Sequence, residues 1–306
     1  MKKMTKERLF LIGGSGFIGK NLVEYFHNDY EIHVMDKYID ETFFSHYPQV
    51  YTLKMDLVES EIPVDYPAPT YIINLASIVT AERDMSLFDT LISSNLKVLL
   101  NIFKRYKDEN ALKLFVQFGS SEEYGNYGSP FQETQREIPT SPYALVKQLS
   151  VNTAMMLYVD YGFPATAVRP GNVFGKYQST TKFIPYVIKQ LKTNQPLNVT
   201  RCEQKRDCIS VQDFAWSLGE LLKHYEKAVG EIVNLGSGES IALKDIIEFC
   251  KSQIGSTSKV NYGALPYRAN EVMDLRCSEY KLSSIIGQPI QFDVYKRLTE
   301  LIPEIN

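Results

Sequence analysis

The sequence has no apolar run near the roughly 20 residues that a bilayer-spanning helix needs, so nothing in it points to a membrane. It also lacks an excess of either charge: 33 Lys and Arg stand against 36 Asp and Glu, a net charge of −3. That balance offers no general attraction to nucleic acid or to an anionic lipid surface. Cysteine is scarce, with four in 306 residues. Cys202, Cys208, Cys250 and Cys277 form no CxxC pair and have no histidine cluster beside them, which speaks against a disulfide frame or a zinc site. Reduced thiols in a cytoplasmic protein are the expectation, with no metal. Repeats, low-complexity tracts and a long linker are absent too. The start "MKKMTKERLFLIGG" is basic and then apolar, like a signal peptide, but its apolar part is short and runs into glycines; it reads as a first strand. What is present is ordinary for a globular chain: 44% hydrophobic and 23% charged residues, in a length that suits one large domain or two.

The first half alternates short apolar runs with amphipathic stretches. "RLFLIG" (8–13), "YEIHVMD" (30–36), "TYIINLA" (70–76), "KLFVQFG" (113–119) and "PATAVRP" (164–170) read as buried strands, and "KMDL" (54–57) follows another. Helical patterns at 89–106 and 142–160 lie between or after them. This alternation predicts a parallel sheet covered by helices on both faces. Beyond Arg169 the pattern loosens, with helices near 180–193, 212–226, 242–254 and 292–302 and short strands near 207–211 and 231–235. The expected division is a first domain over 1–170, to which a segment around 207–236 returns, and a smaller lobe over 171–306.

The first strand ends in "GGSGFIG", where Gly13, Gly16 and Gly19 are spaced GxxGxxG. Glycines at a helix N-terminus let backbone N–H groups approach a pyrophosphate, whose charge the helix dipole favours. Asp36 closes the next strand, 20 residues after Gly16, at about the spacing where a carboxylate meets the adenosine ribose. A carboxylate there accepts from a free 2′-hydroxyl and repels a 2′-phosphate. NAD(H) is therefore the expected cofactor, while neighbouring Lys37 leaves NADP(H) open. Asp56 and Leu57 follow the third strand, where a carboxylate can meet the adenine amino group or simply cap a turn. Phe17, Ile18, Leu75 and Ala76, beside the first and fourth strand ends, complete the candidate cofactor wall.

"SPYALVK" (141–147) places a phenol and an ammonium one helical turn apart, with Ser141 as cap and Pro142 in the first turn. The pair is either two surface residues or a unit aimed at one target. A phenol, with its reference pKa of about 10, is a poor base at neutral pH. A fixed ammonium favours the phenolate and is expected to lower that value. Tyr143 could then exchange a proton with an alcohol or ketone oxygen that Ser120 orients.

With "NLAS" (74–77), "GSSEEYG" (119–125), "YALVK", "RPGNVFG" (169–175), "RDCISVQD" (206–213), "NLGSGES" (234–240) and "YRANEV" (267–272) in order, nearly the whole chain resembles the extended short-chain dehydrogenase/reductases, in particular the nucleotide-sugar epimerases, dehydratases and reductases. The resemblance implies an α/β Rossmann-type doubly wound parallel sheet with a smaller α/β C-terminal substrate lobe. It implies that Tyr143 is the acid/base, that Lys147 supports it and holds the nicotinamide ribose, and that Ser120 bonds the reacting sugar oxygen. Asn95 matches an asparagine of the active-site water network on the cofactor side, or is a polar residue on a helix face. Asn172 matches a sugar-diphosphate contact, and Arg206 and Arg268 match arginines that clamp the diphosphate, unless they serve surface salt bridges. A nucleotide-diphosphate sugar is the implied partner, and a homodimer through the helices at 89–106 and 142–160 the implied assembly, unless those apolar stripes are buried within one subunit.

Three reactions share this machinery. Ser121 and Glu122 occupy positions where dehydratases carry a polar or acidic residue and a glutamate, so Glu122 could abstract the C5 proton; otherwise Glu122 and Glu123 are two charges in a turn. "GSSEEYG" looks like the motif of GDP-6-deoxymannose reductases, and "YGALPYRANEVMDLR" (262–276) is similar to the CDP-abequose and CDP-paratose synthases. "GKYQ" (175–178) departs from the commoner GPGQ. Reduction of a 4-keto-6-deoxy sugar is the reading preferred, with epimerase and 4,6-dehydratase as alternatives and a non-catalytic dinucleotide sensor as a remote one.

Overall fold

A computed structural model describes residues 6–80 and 82–305; the basic start considered as a signal peptide falls largely outside them. Strands β1 (Arg8–Ile12), β2 (Glu31–Asp36), β3 (Tyr51–Lys54), β4 (Tyr71–Asn74), β5 (Leu114–Phe118) and β6 (Ala165–Pro170) join the strand Ile232–Leu235 in one sheet. Its spatial order is Ile232–Leu235, β6, β5, β4, β1, β2, β3, and each pairing is parallel. Except for the exposed edge strand β3, the strands are nearly continuous runs of buried residues because helices cover both faces. Side chains alternate between two cores: Leu9 and Leu11 join Leu22, Phe26, Phe214 and Leu218 on one face. Phe10 and Ile12 join Leu99, Ile102, Ala154 and Leu157 on the other. The chain leaves β1 in one direction for β2 and β3 and in the other for β4 and β5. The crevice at this switch, beyond the strands' carboxyl ends, is where such sheets bind ligands.

The helix expected over 89–106 is interrupted. It runs Phe88–Ile92, opens into a π-turn at Ser93–Lys97, and resumes as Val98–Tyr106. The wide turn carries Asn95, whose side-chain amide donates to the Leu91 carbonyl at 2.9 Å. Hydrophobic periodicity alone does not distinguish such a turn from continuous helix. Farther along, helices Phe183–Lys192, Leu243–Ile254 and Val294–Leu301 enclose a third core around Val187, Ile247 and Leu298. All four cysteines are buried free thiols. Among the described residues no helix is long and apolar enough to cross a membrane, and no group of three or more acidic, His or Cys side chains could hold a metal.

Candidate active site

The glycine loop links β1 to the helix Phe17–Phe26. Gly13 has φ +74, and a Cβ there would stand 2.8 Å from the Ala76 nitrogen. At Gly19 a Cβ would meet the Gly14 carbonyl oxygen at 2.3 Å, so loop and helix touch through bare backbone. Gly16 is the N-cap and supplies no capping side chain. The first N–H groups of that helix are therefore free to bind an anion, with the dipole in their favour. These are the features a pyrophosphate requires, and the site fits NAD on this backbone evidence.

Asp36 closes β2 beside the loop. Its carboxylate accepts from the Ser15 N–H at 3.0 Å and the Tyr38 N–H at 3.1 Å, which fixes its direction. Asp56 takes Lys37 at 2.8 Å and the Val58 N–H at 3.0 Å. Lys37, the residue that left NADP(H) open, is thus already paired.

A cavity of about 900 Å³ runs from this loop across the sheet's carboxyl edge. Gly13, Gly16, Phe17, Ile18, Gly19, Asp36, Asp56, Leu57, Leu75 and Ala76 line one end. Ser120, Ser121, Glu122, Tyr143, Lys147 and Asn172 line it farther along. Asn95, Arg206 and Arg268 are not on its wall. Asn95 is buried behind Ser94, its side-chain oxygen without a hydrogen-bond donor. Lys182, Gln178, Ser179, Thr90 and Ser94 also line the cavity; as isolated polar residues on a helix face or in a loop they carry no spacing signal in the sequence.

Helix Pro142–Tyr161 begins as its sequence dictates: the Ser141 hydroxyl accepts from the Ala144 N–H at 3.1 Å, and Pro142 takes the first turn. Tyr143 and Lys147 then share one face, the lysine nitrogen 5.9 Å from the tyrosine ring centre. That ammonium donates to the Phe118 carbonyl at 3.1 Å. The electrostatics differ from the expectation that Lys147 lowers the phenol's value. Burial pushes Tyr143 up from the ordinary tyrosine range, Glu122 and Glu123 push it the same way, and only the Ser120 side chain opposes them. Lys147 does not offset them, and burial pushes its own value down to about 8 against the pull of Glu123. The phenol is held protonated.

Glu122 opens to the water of the cleft yet lies deep between its walls, and desolvation raises its carboxyl above the usual range. Arg268, Arg206, Arg83 and Lys182 pull it back, so four cations gather around this end of the cavity. Arg206 is engaged by Glu271 and donates to the Val272 carbonyl at 2.7 Å. Arg268 is exposed, and Asn172 is exposed on the short strand Asn172–Phe174.

Glu123, in sequence one of two charges in a turn, is fully buried. One of its oxygens accepts from the Ser120 N–H at 2.7 Å and the other from Arg169 Nε at 2.8 Å. Arg169 also bonds Glu137 and lies 4.7 Å over the Tyr124 ring. An arginine inside a strand otherwise buried on both faces is the signal that could have exposed this pair, since a buried charge demands a partner.

Three comparisons bear on this arrangement. The model of the NAD dependent epimerase/dehydratase family matches residues 9–236. A CDP-abequose synthase from Salmonella muenchen is 33% identical over 135 residues, 44% of this chain and 46% of that protein, so the match spans less than half its length. The GDP-6-deoxy-D-mannose reductase of Pseudomonas aeruginosa is 27% identical over 97% of each chain. Among solved structures, a UDP-N-acetylglucosamine 4-epimerase from Methanobrevibacter ruminantium M1, in complex with UDP-N-acetylmuramic acid, superimposes with a TM-score of 0.89 over 98% of each chain at 22% identity.

Proposed function

The chain belongs to the NAD dependent epimerase/dehydratase family, and from that premise we propose that it reduces the C4 ketone of a nucleotide-linked 4-keto-6-deoxyhexose. The observation that carries the reading is one continuous cavity whose wall holds the glycine loop and Asp36 at one end and Ser120, Tyr143 and Lys147 beyond. NADH, when bound, supplies the hydride. The chain's own residues do the rest. The Ser120 hydroxyl orients the ketone oxygen, and the protonated Tyr143 phenol donates its proton to that oxygen as negative charge develops. A phenol kept in its acid form by burial and two carboxylates suits proton donation, the direction of reduction. Lys147, anchored on the Phe118 carbonyl, holds the ribose side of the site. Lys182 on the cavity wall and the exposed Arg268 near Glu122 are the cations that meet the diphosphate, since Arg206 is taken by Glu271.

In this reading residues 1–170 bind the dinucleotide together with a segment around 207–236, whose strand Ile232–Leu235 lies in the same sheet, and the rest of 171–306 forms the nucleotide-sugar lobe. The exposed apolar side chains Leu100, Leu149, Met156 and Val159, on the helices Val98–Tyr106 and Pro142–Tyr161, supply a homodimer contact. The name of the deoxymannose reductase, matched over 97% of each chain, supports reduction. A 4,6-dehydratase is the second reading, favoured by one observation: Glu122 stands on the cavity wall with a raised carboxyl, as a proton-abstracting base requires.

The test is incubation of the protein with NADH and a panel of nucleotide-linked 4-keto-6-deoxyhexoses, following the loss of NADH absorbance. Oxidation of NADH with at least one of them is expected. No oxidation with any, together with turnover of an unmodified nucleotide hexose without added cofactor, overturns the reductase reading in favour of the dehydratase or an epimerase.

A further inference from the structure

The register of the sheet sets Lys37 beside Asp56. β2 and β3 run parallel with Asp36 opposite Lys54, so the residues just past each carboxyl end emerge side by side. The Met55 N–H donates to the Asp36 carbonyl at 2.9 Å and extends that alignment one step further. Lys37 Nζ consequently lies 2.8 Å from Asp56 Oδ2, and the other Asp56 oxygen is fixed by the Val58 N–H. All three of Asp36, Lys37 and Asp56 line the cavity end that holds the glycine loop.

Lys37 is the cation adjacent to the carboxylate that would meet the adenosine ribose. A free lysine at this place can pair with a phosphate on the 2′-oxygen and offset the repulsion from Asp36. A lysine already paired offers that phosphate no net charge. We propose that Asp56 is a specificity-determining residue for the cofactor: by holding Lys37 in an ion pair it withholds the counter-charge a 2′-phosphate needs, and so reinforces the choice of NAD(H) over NADP(H). The pair itself contributes little to folding, because the Lys37 side chain is 57% exposed. One neutral substitution is therefore enough to release the lysine without disturbing the sheet. The inference rests on the dinucleotide reading of the loop and not on which sugar reaction follows.

The test is titration of the full chain with NADH and with NADPH, read by cofactor fluorescence, which needs no sugar substrate. In Asp56→Asn the affinity for NADPH relative to NADH rises by about five-fold, the upper range for an exposed charge pair. Asp56→Ala shifts the ratio in the same direction. Adding Lys37→Met to either returns the ratio to that of the unaltered chain. Loss of an adenine contact weakens both cofactors alike and cancels in the ratio. A ratio unchanged in Asp56→Asn, or a gain that survives Lys37→Met, overturns the proposal alone. Failure of the unaltered chain to bind either dinucleotide overturns it together with the dinucleotide reading.

Discussion

Glu123 and Arg169 form an ion pair at 2.8 Å in which neither side chain reaches solvent. The same carboxylate accepts from the Ser120 N–H, so the turn presenting the candidate catalytic hydroxyl is tied to a buried charge in β6. Removing Arg169 strands Glu123 in a low dielectric, and removing Glu123 leaves the buried Arg169 with Glu137 alone. Glu123→Gln or Arg169→Met is expected to destabilise the protein by about 3–5 kcal/mol, measured by urea unfolding. The double variant Glu123→Leu/Arg169→Met is expected to lose less than the sum of the single changes, because the fully buried pair goes together and only the part-exposed Glu137 loses a partner. Strict additivity would show that the two side chains act independently.

Tyr143→Phe removes the proton donor while keeping the buried ring. Turnover is expected to fall by about 10²–10⁴, with NADH affinity within a few-fold of the unaltered chain. Single-turnover measurement with saturating ketone sugar checks it; a rate reduced less than ten-fold would assign the proton to another group.

Lys147 connects the site to pH. Its folded value, about 8, lies below the usual 10.5 for lysine. Between these two values the unfolded chain binds the extra proton, so this group's contribution to stability rises as pH climbs from 8 to 10.5. Below pH 8 both states are protonated and the cost of burying the charge is felt in full, on the order of 3 kcal/mol. Lys147→Met is expected to flatten the rise across that window in chemical unfolding followed against pH. An unaltered slope would place the lysine in a better solvated position.

Gly19→Ala tests the contact between loop and helix. A methyl group there would stand 2.3 Å from the Gly14 carbonyl oxygen, so backbone must move. Destabilisation of about 1–3 kcal/mol is expected from the overpacking, with at least ten-fold weaker NADH binding by fluorescence titration. Gly16→Ala, whose Cβ would come no closer than 3.6 Å to the protein, isolates the ligand side: its stability should hold while binding weakens.

The parts of this protein whose physics is local were legible along the chain. A strand ending in spaced glycines, an aspartate closing the next strand, and Tyr143 four positions before Lys147 behind a Ser-Pro cap are written in short-range patterns, because turns, caps and the helical repeat act over a few residues. The family motifs extended that reading along the chain. Contacts between distant segments emerged with the fold. Strand order brought Arg169 under the Ser120 turn and gave Glu123 its partner; the β2–β3 register set Asp56 against Lys37; the second lobe gave Arg206 to Glu271. The fold also decided the proton on Tyr143, since the phenol's surroundings depend on what burial does to Lys147, Glu122 and Glu123 together. Charge interactions act through space, and the distances that govern them exist only once the chain has folded.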